Sequence, residues 1–318
     1  MIYDGGISSS QKSLEQASLQ SSLQQVEVDL YSIKERINQV YFYILVLQEN
    51  TKLMESTASE LEEKIKTIES GVKNGFLQAS ASDALMAEYL KIQQKADELK
   101  MEKRTSLNIL SELTGSNLAY DVNLALPVID KISSDSVNRP EYQLFEAQKN
   151  QLQVSGKIIS SKKMPKIAGF GQFGYGKPGL NMMNDEADNF YMVGARISWN
   201  IWDWNDGKRD REAIKVQQQL VDNRREIFDK NLSVSLAKER SGIEKMEKLI
   251  ETDKQIIGLR EKITRRSESQ MNNGTLTSSD YISDLNAEVQ AKINFQIHKI
   301  QLVQTKINYL TLLGTKIQ

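Results

Sequence analysis

The 318-residue chain contains no cysteine, which excludes disulfides, thiolate metal sites and a cysteine nucleophile. Its four prolines and 17 glycines are few for its length, and they suit long helices with polar faces. Neither sign of charge dominates, with 41 basic and 42 acidic side chains, so nothing indicates a nucleic-acid surface. No stretch approaches 18 consecutive apolar residues, the length typical of a membrane-spanning helix. Contact with a bilayer core would therefore require strands.

Catalytic residues are also scarce. The single histidine, His298, lies on a polar part of a heptad-patterned segment without a second histidine in the chain. Acid–base or metal chemistry needs partners, so a solvated or packing role is favoured for it. The sequence has no glycine-rich phosphate loop and no nucleophile motif. We interpret the chain as a non-enzyme without a cofactor.

Three short signatures recur at one constant offset of 199 residues. The pairs are Ile2-Tyr3-Asp4 with Ile201-Trp202-Asp203, Asn74-Gly75-x-Leu77 with Asn273-Gly274-x-Leu276, and Leu113-x-Gly115 with Leu312-x-Gly314. Signatures that stay in register over such a distance indicate two copies of one structural unit. In each copy a long helical stretch leads to the Asn-Gly and a shorter one leads to the Leu-x-Gly. The unit is therefore predicted to be a helical hairpin with a glycine-containing tip.

The first copy begins at Met1 with its earliest signature, whereas residues 139–202 lead up to and include the matching signature of the second copy. We therefore expect the chain to derive from a longer ancestral protein, truncated at its N-terminal side.

Apolar residues of the first copy follow steps of four and three from Leu19 to Val72, interrupted only at Thr51. This 3.5-residue repeat is the seam of a helix that packs lengthwise on a partner. It predicts a helix from about Ser9 to Lys73, or roughly 65 residues and about 100 Å. Similar series follow each tip, and the second long helix is expected over about 208–272. Each long helix should pack antiparallel to the helix after its tip.

Between the copies the pattern becomes that of strands. Lys166 to Gly176 is rich in glycine and aromatics, and a turn with Pro178 and Gly179 follows. The next segment alternates with period two, and its apolar face consists of Tyr191, Val193, Ala195, Ile197, Trp199 and Ile201. Aromatics at both ends and polar residues on the other face are typical of a membrane-barrel strand. Alternation alone also fits a half-buried strand of a soluble sheet. A lone hairpin is unstable in water, so strands from several chains are expected to close together.

These features together resemble the TolC-like outer-membrane efflux proteins. The resemblance covers the tandem repeat, Arg139-Pro140-Glu141 opening a repeat, Met164-Pro165 before the first strand, the Ile-Ser-Trp-x-Ile-Trp-Asp strand end and the two tips. It implies a mainly α fold, with long antiparallel coiled-coil hairpins in tandem forming an α-barrel and a short transmembrane β-hairpin. The family has four strands per chain, whereas this chain supplies two and a stub at Ile2-Tyr3. As given, it is not expected to close a normal barrel.

The resemblance divides the chain into five segments. They are a first-repeat hairpin without its strands (1–115), an equatorial linker (116–138), a helix leading to the membrane (139–165), a β-barrel hairpin (166–204) and a second-repeat hairpin (205–318). It implies a homotrimer in the outer membrane, with its helical part in the periplasm. It also implies a passive exit duct for drugs, other small molecules or proteins, docked to a periplasmic adaptor and an inner-membrane pump in tripartite efflux or type I secretion.

Site expectations also follow from the resemblance. The tip residues Asn74, Gly75, Leu77, Asn273, Gly274 and Leu276 would dock the adaptor, and simple turns are the alternative. Asp280 and Asp284 would form a carboxylate gate that binds cations at the periplasmic entrance. Helix capping is the alternative for these acids. The other function considered is a periplasmic adaptor or coiled-coil scaffold without a channel, but an adaptor would have one hairpin and not two.

Overall fold

A computed structural model describes residues 1–75, 77–129, 136–177, 183 and 185–315. The elements in chain order are α1 (Ile7–Lys73), α2 (Ala79–Thr114), α3 (Pro140–Lys162), β1 (Lys166–Gly176), β2 (Asp188–Ser198), α4 (Asp206–Asn272) and α5 (Ser278–Leu313). This order confirms the mainly α fold with two long-helix hairpins. The turn predicted at Pro178 and Gly179 lies outside the described residues. None of the helices is long and apolar enough over the described ranges to cross a membrane.

The chain divides into two compact units, and both α1 and α4 contribute to each of them. The first unit comprises Met1–Asp29 and Arg139–Asn231, and the second comprises Leu30–Asn138 and Leu232–Gln318.

In the second unit each long helix packs antiparallel to the helix that follows its tip, as predicted. Lys100 of α2 pairs with Glu55 of α1 at 2.9 Å, and Tyr43 of α1 donates to Glu102 of α2 at 3.0 Å. Between α4 and α5 the ion pairs are Lys292–Glu261 at 3.4 Å and Lys306–Glu247 at 3.7 Å. From the first of these α4–α5 ion pairs to the second, the residue number rises on α5 and falls on α4, so the two helices run in opposite directions.

The core of the second unit is built from the heptad positions of α1, α2 and α5, together with Met271 of α4. Its buried members include Leu61, Ile65, Ile68, Leu85, Ile92, Tyr281 and Leu285. Lys64 of α1 also pairs directly with Glu268 of α4. Because these two residues lie 204 apart, close to the repeat offset, the equivalent long helices of the two copies run side by side here.

Left-handed backbone explains why the three signatures keep a fixed offset. In the described part of the chain, residues with positive φ form four pairs, each separated by 199 positions. The pairs are Gly5 (75°) with Trp204 (48°), Gly6 (79°) with Asn205 (65°), Gly75 (79°) with Gly274 (69°), and Gly115 (65°) with Gly314 (78°). Each pair lies where a long helix begins, where a tip turns or where the hairpin ends. The repeat is thus a repeat of backbone turns.

In the first unit α3 packs antiparallel to α4. Pro140 occupies the first turn of α3, as predicted, where its missing N–H leaves no helix hydrogen bond unmade. Lys149 pairs with Asp222 at 2.8 Å, and Arg225 pairs with Glu146 at 2.9 Å.

The apolar seam predicted along α1 is covered only in part. From Ile44 onward its residues are buried or half-buried, and Leu110 near the end of α2 packs in the same cluster as Ile44. The preceding seam residues are exposed: Leu19, Leu23, Val26, Leu30 and Ile33. The reason is length, since α2 has 36 residues and α1 has 67. The helix after the tip therefore covers only the part of the seam that lies nearer the tip.

Candidate functional site

The first candidate site is the strand pair of the first unit. β1 and β2 are antiparallel, with Ile167 opposite Ile197 and Phe173 opposite Tyr191. Directly opposed side chains share one face of a sheet. This register places Ile167, Phe173, Tyr175, Tyr191, Val193, Ala195 and Ile197 on one face. Val193 is 80% exposed and Tyr191 is 76% exposed, so a large apolar surface faces away from the chain's own core.

The opposite face carries the polar residues and two aromatic rings that cover glycines. Phe170 lies opposite Gly194, and a Cβ on that glycine would come within 2.6 Å of the Phe170 ring. The same relation holds between Phe190 and Gly174, at 2.5 Å. The guanidinium of Arg196 lies over the Phe170 ring at 5.9 Å from its centre. These contacts fix the strand register without using the apolar face.

β2 ends at Ser198, so the predicted strand face extended too far at its C-terminal end. Trp199 and Ile201 lie beyond the strand. Ser198 pairs with Lys166, and the residue before Lys166 is Pro165, which has no N–H to continue the ladder. The Trp199 indole N–H instead donates to the Lys163 carbonyl at 3.0 Å.

Ile2 and Tyr3 lie against the other edge of β1. Both donate their N–H groups to the Ile167 carbonyl, at 2.8 and 3.0 Å, and the Ile167 N–H donates to the Tyr3 carbonyl at 2.7 Å. Tyr3 forms an isolated bridge with Ile167. The strand stub predicted at Ile2-Tyr3 is therefore a sheet contact of one residue pair.

Two repeated aspartates, Asp4 and Asp203, begin the two long helices. Asp4 accepts from the N–H groups of Gly6 and Ser8, at 2.9 and 2.8 Å. Asp203 accepts from the Gly207 N–H at 3.1 Å and pairs with the Lys163 ammonium at 2.8 Å. Hydrogen bonds from Ser8 lower the pKa of Asp4, and the hydrogen bond from Lys163 lowers that of Asp203. Sequence reasoning gave these residues no role, although a repeated Asp before a long helix is a capping signal.

The second candidate site is formed by the two tips in the second unit. Gly75 and Gly274 turn the chain, and their N–H groups donate to Val72 and Met271 carbonyls, both at 3.0 Å. Asn74 and Asn273 are exposed beside them. Leu77 packs on Gly71, where a Cβ would come within 2.9 Å of its side chain.

A cleft of about 560 Å³ lies between the tips and is lined by residues of both. Its lining includes Leu77, Gln78, Ala81, Gly274, Leu276 and Ser278. The structure thus brings the two predicted tips together, which sequence reasoning had not foreseen.

No protein-family model and no curated protein matches this sequence. Solved structures do match the fold. The outer membrane protein VceC from Vibrio cholerae matches with a TM-score of 0.75 at 12% identity, over 99% of this chain and 77% of that one. The CmeC outer membrane channel of Campylobacter jejuni gives a TM-score of 0.74 at 14% identity, over 97% and 68%. The open MtrE outer membrane channel of Neisseria gonorrhoeae gives 0.70 at 16%, over 96% and 71%.

This chain has a TolC-like fold. The resemblance read from the sequence is confirmed at this level. The TolC-like match covers nearly the whole chain, so it includes the strand pair as well as both hairpins.

The two acids proposed for the gate of the TolC-like fold have separate partners. Asp280 lies in the first turn of α5 and contacts the N-cap residue Thr277, whose hydroxyl donates to the Asp280 carboxylate at 2.6 Å. The Asp280 N–H donates in return to the Thr277 hydroxyl at 3.2 Å. Asp284 instead accepts from the hydroxyl of Ser267 on α4. The first tip has no such cap, because the side chain of Gln78 caps nothing.

His298 has a partner that the sequence did not reveal. Its Nδ1 lies 2.6 Å from Oδ2 of Asp253, a buried residue of α4. Only the antiparallel register of α4 and α5 brings the two together. No group of three or more possible metal ligands occurs among the residues described here.

Proposed function

We propose that this chain is a subunit of a passive exit duct through the outer membrane and periplasm, in tripartite efflux or type I secretion. The observation that carries the proposal is the exposed apolar face of β2 in a TolC-like fold. An isolated two-stranded sheet is at best marginally stable in water, and open strand edges are not tolerated in lipid. Strands from several copies, closed into a β-barrel with Tyr191, Val193, Ala195 and Ile197 against lipid, satisfy both requirements.

A homotrimer is the assembly we propose. In the first unit the exposed apolar residues of the helices follow heptad spacing, with Leu19, Leu23 and Val26 on α1 and Val216, Leu220 and Ile227 on α4. Two such seams on one chain suit a head-to-tail contact between copies, which closes into a ring. The tandem hairpins also favour a duct over a periplasmic adaptor, for which a single hairpin is expected.

The tips are proposed as the docking surface for the periplasmic adaptor, which would connect the duct to an inner-membrane pump. Asn74, Gly75, Asn273 and Gly274 are exposed at the turns, and the cleft between the tips offers concave surface to a partner. The half-buried side chains of Leu77 and Leu276 line this cleft and supply its apolar part.

Of the two candidate gate acids, Asp280 has the better position for binding a cation. Its side chain is exposed, whereas the Asp284 carboxylate is directed toward Ser267. Three copies of Asp280 around a trimer axis would concentrate negative charge at the periplasmic entrance.

Planar-bilayer recording tests the duct and its gate. In a variant extended at its N-terminal side to four strands per chain, extracted from the outer membrane, we expect discrete conductance steps, and weaker block by divalent cations in Asp280→Asn than in Asp284→Asn. Asn caps a helix nearly as well as Asp, so a purely capping role predicts unchanged block in both variants. Absence of the protein from the outer-membrane fraction, or of any conductance, would contradict the proposed duct.

A further inference from the structure

We propose that Trp202 and Trp204 anchor the junction between β2 and α4 in the headgroup region of the outer membrane, on the helix side of the bilayer. This inference rests on the proposed function, because it requires β2 to lie in the membrane.

Trp204 occupies a backbone position that suits glycine. Its φ is 48°, in the left-handed region that bulky residues rarely adopt. The equivalent position of the first copy is Gly5, with φ 75°, and it makes the same turn into the first long helix. The turn therefore does not need an indole, and a bulky residue here is strained. A role outside the fold accounts for a tryptophan at this position.

The two indoles form a cluster on the surface of the chain. Trp202 is 71% exposed and Trp204 is 78% exposed. Their ring centres lie 5.9 Å apart with the planes at 85°, an edge-to-face contact. The pair presents a large aromatic surface to its surroundings while keeping two N–H donors. An apolar ring with a polar N–H is the combination that concentrates at membrane–water interfaces.

The position of the two tryptophans in the chain indicates that lipid covers this surface. The pair lies between the end of β2 at Ser198, the strand whose apolar face carries Val193 and Ile197, and the charged first turns of α4. Asp203, between the two indoles, caps α4 and is paired with Lys163. The cluster therefore lies where the chain passes from the proposed hydrocarbon-facing surface to a polar helix. That transition is the level of the phospholipid headgroups.

Tryptophan fluorescence can test the anchor directly, because the three tryptophans of the chain all lie within residues 199–204. A variant with Trp199→Phe and Trp202→Phe retains Trp204 alone. We would reconstitute it in phosphatidylethanolamine–phosphatidylglycerol vesicles with bromine at shallow or deep acyl positions. We expect at least twofold stronger quenching by shallow bromine. Stronger quenching by deep bromine, or none, would overturn the anchor.

A matched pair of substitutions separates the effect of the indole on vesicle binding from the effect of the backbone conformation. Trp204→Gly copies Gly5 of the first copy, and Asn205→Gly copies Gly6 without removing an aromatic ring. We expect Trp204→Gly to lower vesicle binding several-fold with unchanged helix content, and Asn205→Gly to leave binding intact. Equal binding by both variants would refute the anchor and leave the duct standing if the wild-type chain floats with vesicles. Failure of the wild-type chain to bind vesicles would refute both.

Discussion

Residues with left-handed backbone conformation lie where the helices of this chain begin, turn and end. At Gly75 and Gly274 the chain leaves a long helix, and at Gly115 and Gly314 it ends a hairpin. A residue with a Cβ adopts this backbone only at a cost, whereas glycine adopts it freely. Glycines within helices are different, because there the missing side chain only weakens the helix.

Two alanine substitutions in the second unit should therefore have opposite effects. Gly258 lies inside α4, and a Cβ there meets nothing within 4 Å, so Gly258→Ala should raise the free energy of unfolding by about 0.5–1 kcal/mol. Gly274→Ala meets no clash either, but its φ of 69° should lower that free energy by about 1 kcal/mol. Urea denaturation of both variants measures this, and effects of the same sign would contradict the assignment.

Asp203 should make stability depend on pH. Its pKa is lowered from 3.8, first by the hydrogen bond from Lys163 and then by that from the Gly207 N–H. A carboxyl group whose pKa is lowered by folding stabilises the folded chain at pH values above its ordinary pKa. This stabilisation is lost as the pH falls through the lowered pKa. Asp203→Asn should therefore reduce stability at pH 7, and the difference from wild type should shrink below about pH 4.

Urea denaturation at pH 7 and pH 3 measures the difference, with Asp210→Asn as an exposed control on α4, the helix that follows Asp203. A deficit in Asp203→Asn that is equal at both pH values would show that charge is not involved.

Among the elements, the segment after α2 depends on one buried glutamine of α1. Gln48 is 6% exposed, and its amide donates to the Leu124 carbonyl at 3.2 Å and accepts from the Leu124 N–H at 3.0 Å. Tyr41 donates to the neighbouring Ala125 carbonyl at 2.6 Å. These bonds satisfy backbone groups that no strand or helix of the described segment uses. They let Leu124 and Ile129 pack beside α1.

Gln48→Met should release this segment. Methionine has a similar length but leaves the Leu124 N–H and carbonyl unpaired, which should cost about 1–3 kcal/mol of unfolding free energy. Hydrogen exchange at the Leu124 amide should accelerate as well. Gln39→Met, at an exposed position of the same helix, should be nearly neutral. Matching losses in the two variants would contradict the role assigned to Gln48.

Local pattern was sufficient to predict some elements and insufficient for others. Heptad positions such as Leu61 and Ile68, and turn glycines such as Gly75, are set by neighbours in sequence, so their roles could be predicted. The contact of Gln48 with Leu124 spans 76 residues, and that of His298 with Asp253 depends on helix register. Such long-range contacts leave no local signal.

At the two candidate sites, too, features set by local pattern could be predicted and features set by long-range contacts could not. The strand alternation at Val193 was visible in sequence, but the end of β2 was not, because Pro165 ends the ladder from the opposite strand. The tips were predicted singly, whereas the cleft between them arises only when the hairpins pack together.

For the whole molecule, the uncovered seams support the proposed assembly of several copies. Leu23 and Leu220 are exposed apolar residues at heptad positions of two different helices in the first unit. Burying a leucine of this kind contributes about 1.5–3 kcal/mol. Several such contacts per interface are expected to stabilise an assembly of identical copies.

Leu23→Glu should weaken this assembly. A charge in the seam should lower the association constant of the proposed trimer by tenfold or more, while Ser22→Glu, on an adjacent exposed residue, should leave it almost unchanged. Sedimentation velocity in detergent measures the association. Identical behaviour of the two variants would show that the seam at Leu23 is not an interface.

Environment-sensitive labels on single cysteines along β2 test most directly whether this strand lies in a membrane. The chain has no native cysteine, so each variant carries one reporter. In vesicles, labels at Tyr191→Cys, Val193→Cys, Ala195→Cys and Ile197→Cys should emit as in an apolar medium and be quenched from within the lipid. Labels at Met192→Cys, Arg196→Cys and Ser198→Cys should respond to aqueous iodide. Uniform water accessibility at all seven positions would contradict the membrane strand, and with it the proposed outer-membrane duct.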